Sequence, residues 1–165
     1  LGWFGDPSVL QGFCFRGVMK KLDKGKWAEK EAAHWLEACS QQAHDFAWHR
    51  FADSKAARGL IAAQPSDFLV SLATKKGNRT IYLEVKESAQ ERRLPKAKIG
   101  QYGMLRKFAW TNAEVLVLVF MSAFNTWVYL TNDDLFCYED CPASFPLTNL
   151  PTFASAKEAL EDYFK

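Results

Sequence analysis

The chain has 165 residues, a formal net charge of +2 and 48% hydrophobic residues. That content excludes an intrinsically disordered chain, and a chain of this length buries about 70% of its unfolded surface, enough for one core. No apolar run approaches the ~18 residues of a membrane span, the chain is not globally basic, and glycine and charge interrupt its start where a secretory signal would lie. One cytoplasmic domain over residues 1–165, without a membrane partner, is the expectation. Residues 1–25, with their aromatics, glycines and Met19-Lys20-Lys21, read as an N-terminal arm. Lys26 to Gln42 follows as a helix. Its apolar stripe is Ala28, Ala32, Trp35, Leu36 and Cys39, with Glu29 at the edge and Glu37 opposite. Trp48, His49 and Arg50 then lead through the polar segment Asp53 to Arg58, where Arg50 and Arg58 are candidate phosphate contacts.

The next segment reads as a hairpin that carries the chemistry. Phe68, Val70 and Leu72 alternate with Asp67, Leu69 and Ser71; Ile81, Leu83 and Val85 alternate with Tyr82, Glu84 and Lys86. Lys75-Lys76-Gly77-Asn78 is a natural turn. With those four residues as the loop, Thr74 pairs with Arg79, and Asp67 lies opposite Lys86 and diagonal to Glu84, at roughly 7 to 8 Å. A two-residue Gly77-Asn78 turn keeps the same faces; a three-residue loop inverts them unless a bulge intervenes.

Two carboxylates about 4 Å apart repel by up to ~4 kcal/mol at an effective dielectric near 20, so the pair calls for a cation or a shared proton. Mg²⁺ suits it, because this ion takes one or two carboxylates, keeps waters and accepts phosphate oxygens. Asp67 and Glu84 are then the ligands. Lys86 orients the attacking water or offsets charge in the transition state, and nucleic-acid hydrolysis is the chemistry that fits. A plain surface hairpin with a Glu84–Lys86 ion pair is the alternative.

The order P-S-D at 65–67, a spacer, then E-V-K at 84–86 on an amphipathic strand resembles the PD-(D/E)XK nuclease superfamily, which includes restriction endonucleases, recombination exonucleases and Holliday-junction resolvases. The resemblance implies an α/β fold: a restriction-endonuclease-like α-β-β-α-β core with a mixed central sheet flanked by helices. It implies Mg²⁺, with Mn²⁺ as substitute. It also implies that a helix glutamate shortly after a glycine completes the metal site; Glu29 is the choice and Glu31 the reserve. An acid in a helix's first turn is also favoured by the helix dipole alone. A glutamine on the helix after E-x-K lies near the site in recombination-type members, and Gln101 occupies that place.

From Arg92 to Lys107 stand Arg92, Arg93, Lys96, Lys98, Arg106 and Lys107 without one acid, a concentration suited to a DNA backbone. The helix there is expected to begin near Pro95; a solvated helix face is the other reading of its lysines. Glu114 to Phe120 is a nearly unbroken apolar run, predicted as a central strand buried on both faces. Asn125 to Thr131 is a paired edge strand after a turn at Ser122 to Asn125. Cys137 and Cys141 are close enough for a disulfide, but reduced thiols are expected; Cys14, Cys39 and the three histidines make no zinc signature. Ser155-Ala156-Lys157-Glu158 opens a C-terminal helix over 155–164.

These readings converge on a Mg²⁺-dependent DNA endonuclease, selective for branched DNA as Holliday-junction resolvases are, and acting as a homodimer because a four-way junction needs two paired cuts. Compactness, the lack of an appended sequence-reading domain and the glutamine-bearing basic helix favour that branch. The rivals are a sequence-reading or repair endonuclease or exonuclease of the same superfamily, and a non-catalytic DNA-binding protein of the same fold.

Overall fold

The computed structural model describes residues 23–52, 64–75, 77–90, 92–136 and 142–165. Cys14, Cys137, Cys141, Arg58 and nearly all of the N-terminal arm lie outside the described residues. Asp23 accepts a hydrogen bond from the Lys26 amide and caps α1 (Lys24–Gln42), so this helix begins two residues before the expected Lys26. Ala28, Ala32 and Leu36 are fully buried, and Trp35 and Cys39 half-buried, along the expected stripe. Truncating Leu36 to alanine would cost about 2–5 kcal/mol, the range for a fully buried leucine. Burial, and secondarily Glu161, push the free Cys39 thiol up to about 11.

A five-stranded mixed sheet lies beside α1 in the order β1-β2-β3-β5-β6. Its first member, β1 (Phe46–Arg50), was not anticipated. Phe46 and Trp48 turn inward while Ala47 and His49 are exposed, too short an alternation to stand out among polar neighbours. It pairs antiparallel with β2 (Phe68–Thr74). Between β2 and β3 (Gly77–Ser88) the register is Thr74↔Gly77 through Phe68↔Leu83, two residues away from the expected Thr74–Arg79 pairing. Gly77 and Asn78 belong to β3, not to the turn. The Thr74 hydroxyl donates to the Gly77 carbonyl at 2.8 Å, and glycine supplies the φ of +126° that closes the reversal. An even offset leaves every side chain on its expected face.

At its far end β3 continues beyond β2 and pairs in parallel with β5 (Glu114–Met121), which pairs antiparallel with the edge strand β6 (Thr126–Leu130). β5 is interior, and Val115 to Met121 are all buried, but β3 takes the middle of the sheet. Asn125, at φ 53°, closes the β5–β6 turn.

The basic segment departs most from expectation. Pro95 does not open a helix: Arg93–Pro95 forms β4, paired with β7 (Ser144–Pro146), a partner too distant in sequence for local patterning to reveal. A 3-10 turn at Lys96–Lys98 follows, and α2 (Tyr102–Trp110) starts only after Gly100, with Gln101 at its N-cap. The short α3 (Asn132–Phe136), also unanticipated, is set by the Asp134 carboxylate, which accepts from the Thr131 amide and hydroxyl. Ser155 caps α4 (Ala156–Phe164) by accepting from the Glu158 amide, and the Glu158 carboxylate reaches back to the Ala154 amide.

Alternation gives the sheet two covered faces. On one, α1 and α4 pack over Phe68, Val70, Ile81, Leu83, Val85, Leu116, Leu118 and Trp127; on the other, α2, α3 and the β4–β7 pair cover Val115, Val117, Val119, Val128 and Leu130. No helix among the described residues is long and apolar enough to cross a membrane.

Candidate active site

The site arises where β2 stops and β3 does not. After the Phe68↔Leu83 pair, residues 84–88 of β3 retain only β5 as a strand partner. The Val85 amide, left without a β2 carbonyl, instead donates to Asp67 Oδ2 at 2.7 Å. Asp67 is itself fixed: its carbonyl accepts from the Phe51 amide at 3.0 Å, and the preceding Ser66, buried, donates its hydroxyl to the Phe68 carbonyl. Parity then brings Glu84 and Lys86 to the same side. Lys86 Nζ lies 2.6 Å from Glu84 Oε1, 3.4 Å from Asp67 Oδ2 and 3.0 Å from the Val85 carbonyl.

Burial governs the charges. Glu84, whose side chain is only 5% exposed, is pushed up to about 7 by burial first and the Asp67 charge second; Lys86 and the Asp67 backbone amide oppose this. At Lys86 burial works against the ammonium, yet Glu84 and Asp67 outweigh it and hold the group above its ordinary value, so it stays charged at neutral pH. Glu29 is also raised, by burial and then by Asp67, against the pull of Arg50 and Lys86. Its carboxylate accepts from Arg50 Nη2 at 2.9 Å.

Glu29, Asp67, Glu84, Lys86 and Gln101 all line one open cavity of about 430 Å³. Glu31 is exposed and does not line it. Of the basic segment, only Lys98 reaches the cavity, tied down by donating to the Glu87 carbonyl at 2.7 Å. Lys96 lies over the Tyr102 ring and Arg106 over the Trp110 ring, while Arg92, Arg93 and Lys107 are exposed elsewhere. Sequence reasoning overlooked Lys26 and Lys30, which share Glu29's helical face and line the cavity; their spacing of four was the available signal. Arg50, named for its charge alone, lines it too. Five cationic side chains thus surround three acidic ones, a lining suited to an anionic substrate that approaches a carboxylate pair.

A divalent cation can be tested against this donor set. Asp67, Glu84 and the Val85 carbonyl direct oxygens at one locus, which the Lys86 ammonium reaches. Among the described residues no three acidic, histidine or cysteine side chains converge at metal-holding distance, and Glu29 is paired with Arg50 instead. Two carboxylates are nonetheless the number that Mg²⁺ uses when water and phosphate complete its shell, so the residues fit that ion.

No family model matches the chain, and no curated protein matches it in sequence. Among solved structures it is similar to Hjc, a Holliday junction resolvase from Archaeoglobus fulgidus, at 16% identity and a TM-score of 0.44, covering 80% of this chain and 99% of that one. It is also similar to a nuclease from a fusselovirus, at 8% identity and a TM-score of 0.44, covering 90% of this chain and 99% of that one. The chemistry open to this chain follows from the side chains that converge where β2 ends.

Proposed function

We propose that the chain is a Mg²⁺-dependent endonuclease that hydrolyses phosphodiester bonds in DNA, selective for branched DNA of the Holliday-junction type and acting as a homodimer. The observation that carries the reading is the convergence of Asp67, Glu84 and Lys86 beside an otherwise cationic cavity. Asp67 and Glu84 hold the ion, with Mn²⁺ as substitute, and Glu29 completes the site once it parts from Arg50. Bound there, the ion supplies Lewis-acid polarisation of the scissile phosphate. Lys86, charged at neutral pH, acts as a donor that offsets charge building on the phosphoryl oxygens, not as a base. Gln101 orients the attacking water, and Lys26, Lys30, Arg50 and Lys98 bind the flanking phosphates. Two protomers supply the two cuts that a four-way junction needs.

Synthetic four-way junctions assayed with Mg²⁺ and with Ca²⁺ separate turnover from binding. Asp67→Ala and Lys86→Ala should each lower Mg²⁺-dependent cleavage by about 10²–10³-fold or more while junction binding in Ca²⁺ persists. Parental protein that cleaves no DNA with any divalent ion, or Lys86→Ala that cleaves at the parental rate, would refute the reading.

A further inference from the structure

Trp110 is the most exposed large apolar side chain among the described residues, at 66%. It ends α2, whose Tyr102 and Leu105 are buried, while Gly103, Lys107 and Trp110 recur at helical spacing on the exposed face. A Cβ at Gly103, or at Gly100 on the cavity lining, would meet nothing within 4 Å, so the surface between the cavity and Trp110 stands open to close approach. The Arg106 guanidinium lies 4.6 Å from the Trp110 ring centroid; it backs one face of the indole, and the side chain's high exposure leaves the other to solvent. No Asp or Glu occurs from Arg92 to Ala113.

An exposed aromatic backed by Arg106, on a helix that itself carries Arg106 and Lys107 and no acid, suits a polyanion that carries flat apolar rings. We infer that Trp110 is a stacking platform for an unpaired base of the DNA substrate, with Arg106 behind the indole and Lys107 on a neighbouring phosphate. The inference rests on the proposed nuclease reading and deepens it. Trp110 lies nine helical steps beyond Gln101, which at about 1.5 Å each is roughly 13 Å along the helix. That span equals about four steps of one B-form strand at about 3.4 Å each. Inside a continuous duplex both faces of every base are covered by neighbours, so the indole gains nothing there. At a branch point the strands part between arms, so a pair there opens at lower cost than inside a duplex and its base can swing onto the indole, which makes Trp110 a device for preferring branched over linear DNA.

The test uses a four-way junction and a linear duplex of the same arm sequence, each with 2-aminopurine at the branch-equivalent position, bound in Ca²⁺ to parent, Trp110→Ala and Trp110→Phe. The junction probe should be dimmer with parent than with Trp110→Ala, where an opened base has no ring to stack on, while the duplex probe should not differ between the two. Trp110→Ala should lose about tenfold in junction affinity, the size of one base–aromatic stack, with duplex affinity within about twofold. Trp110→Phe, which keeps a ring, should recover most of the loss. If the parent binds and cleaves junctions but Trp110→Ala binds them as tightly, the platform is refuted while the nuclease reading stands. If the parent binds no DNA, both fall. Should Trp110→Ala instead turn a dimer into a monomer in sedimentation at unchanged junction affinity, the surface is a self-association face and the inference is overturned.

Discussion

The buried carboxyl of Glu84 makes a stability prediction that needs no substrate. Its elevation from the ordinary 4.5 to about 7 corresponds to about 3 kcal/mol between its protonated and ionised forms in the folded protein. A carboxyl raised on folding binds its proton more tightly in the native state, so its favourable contribution is complete below about 4.5 and lost as pH rises through about 7. Glu84→Gln mimics the protonated group, keeps an oxygen for Lys86 and does not titrate. In EDTA the variant should therefore match the parent near pH 4.5 and become progressively more stable than it by pH 8. The gap has a ceiling of about 3 kcal/mol, or roughly 6–12 °C in Tm for a chain of this size. Urea unfolding of both proteins from pH 4.5 to 8 measures the gap directly, and Glu29, also raised, cancels between them. Mg²⁺ at pH 8 should then stabilise the parent and not the variant. A gap independent of pH, or a variant that loses ground as pH rises, would mean that Glu84 is ionised and fully compensated by Lys86, and the electrostatic reasoning would be wrong.

Asp67 is the second cause of that elevation, so Asp67→Asn should move the Glu84 carboxyl-carbon NMR titration to lower pH; an unmoved midpoint would contradict the coupling. Lys26 and Lys30 on the cavity lining should each give up about 0.9 of the slope of log affinity against log salt for B-form DNA when changed to alanine. A slope unchanged in the double variant removes them from the interface. Away from the site, Tyr163 donates to Glu114 at 2.8 Å, and Glu114 is also held by Arg79 at 2.6 Å, pinning α4 to the sheet. Tyr163→Phe should cost about 1–2 kcal/mol in urea unfolding without altering DNA binding.

Patterns confined to one element were legible in the sequence: the α1 stripe, the β5 run and the Ser155 cap each depend on neighbours within a turn or a strand. What escaped depended on partners far along the chain. Arg93-Leu94-Pro95 looks like the entry to a helix because Pro95 suits a first turn, but Ser144–Pro146 offers it a strand partner, and pairing wins. β1 has five residues and one polar face, and only the edge of β2 makes it a strand. Lys26 and Lys30 carry no mark of a site in the sequence beyond their spacing of four, and only the cavity that opens where β2 ends gives that spacing a meaning.

The convergence of Asp67 with Glu84 and Lys86 tolerates the error made at the turn because the β period is two. The expected turn and the observed one differ by two residues of register, so Asp67 moves from beside Lys86 to near Glu84 without changing faces. A displacement of one residue would have sent Asp67 to the side of Phe68 and Val85, among the core side chains under α1, where an unpaired carboxylate is costly. The apolar residues that alternate with the site residues therefore enforce its geometry: burial of Phe68, Val70, Leu83 and Val85 holds the register to even steps, and the Val85 amide, deprived of a β2 carbonyl, selects among those steps by binding Asp67. The same packing that stabilises the sheet thus brings the acids and the ammonium together, and it does so at the point where the ladder ends and water and substrate can enter.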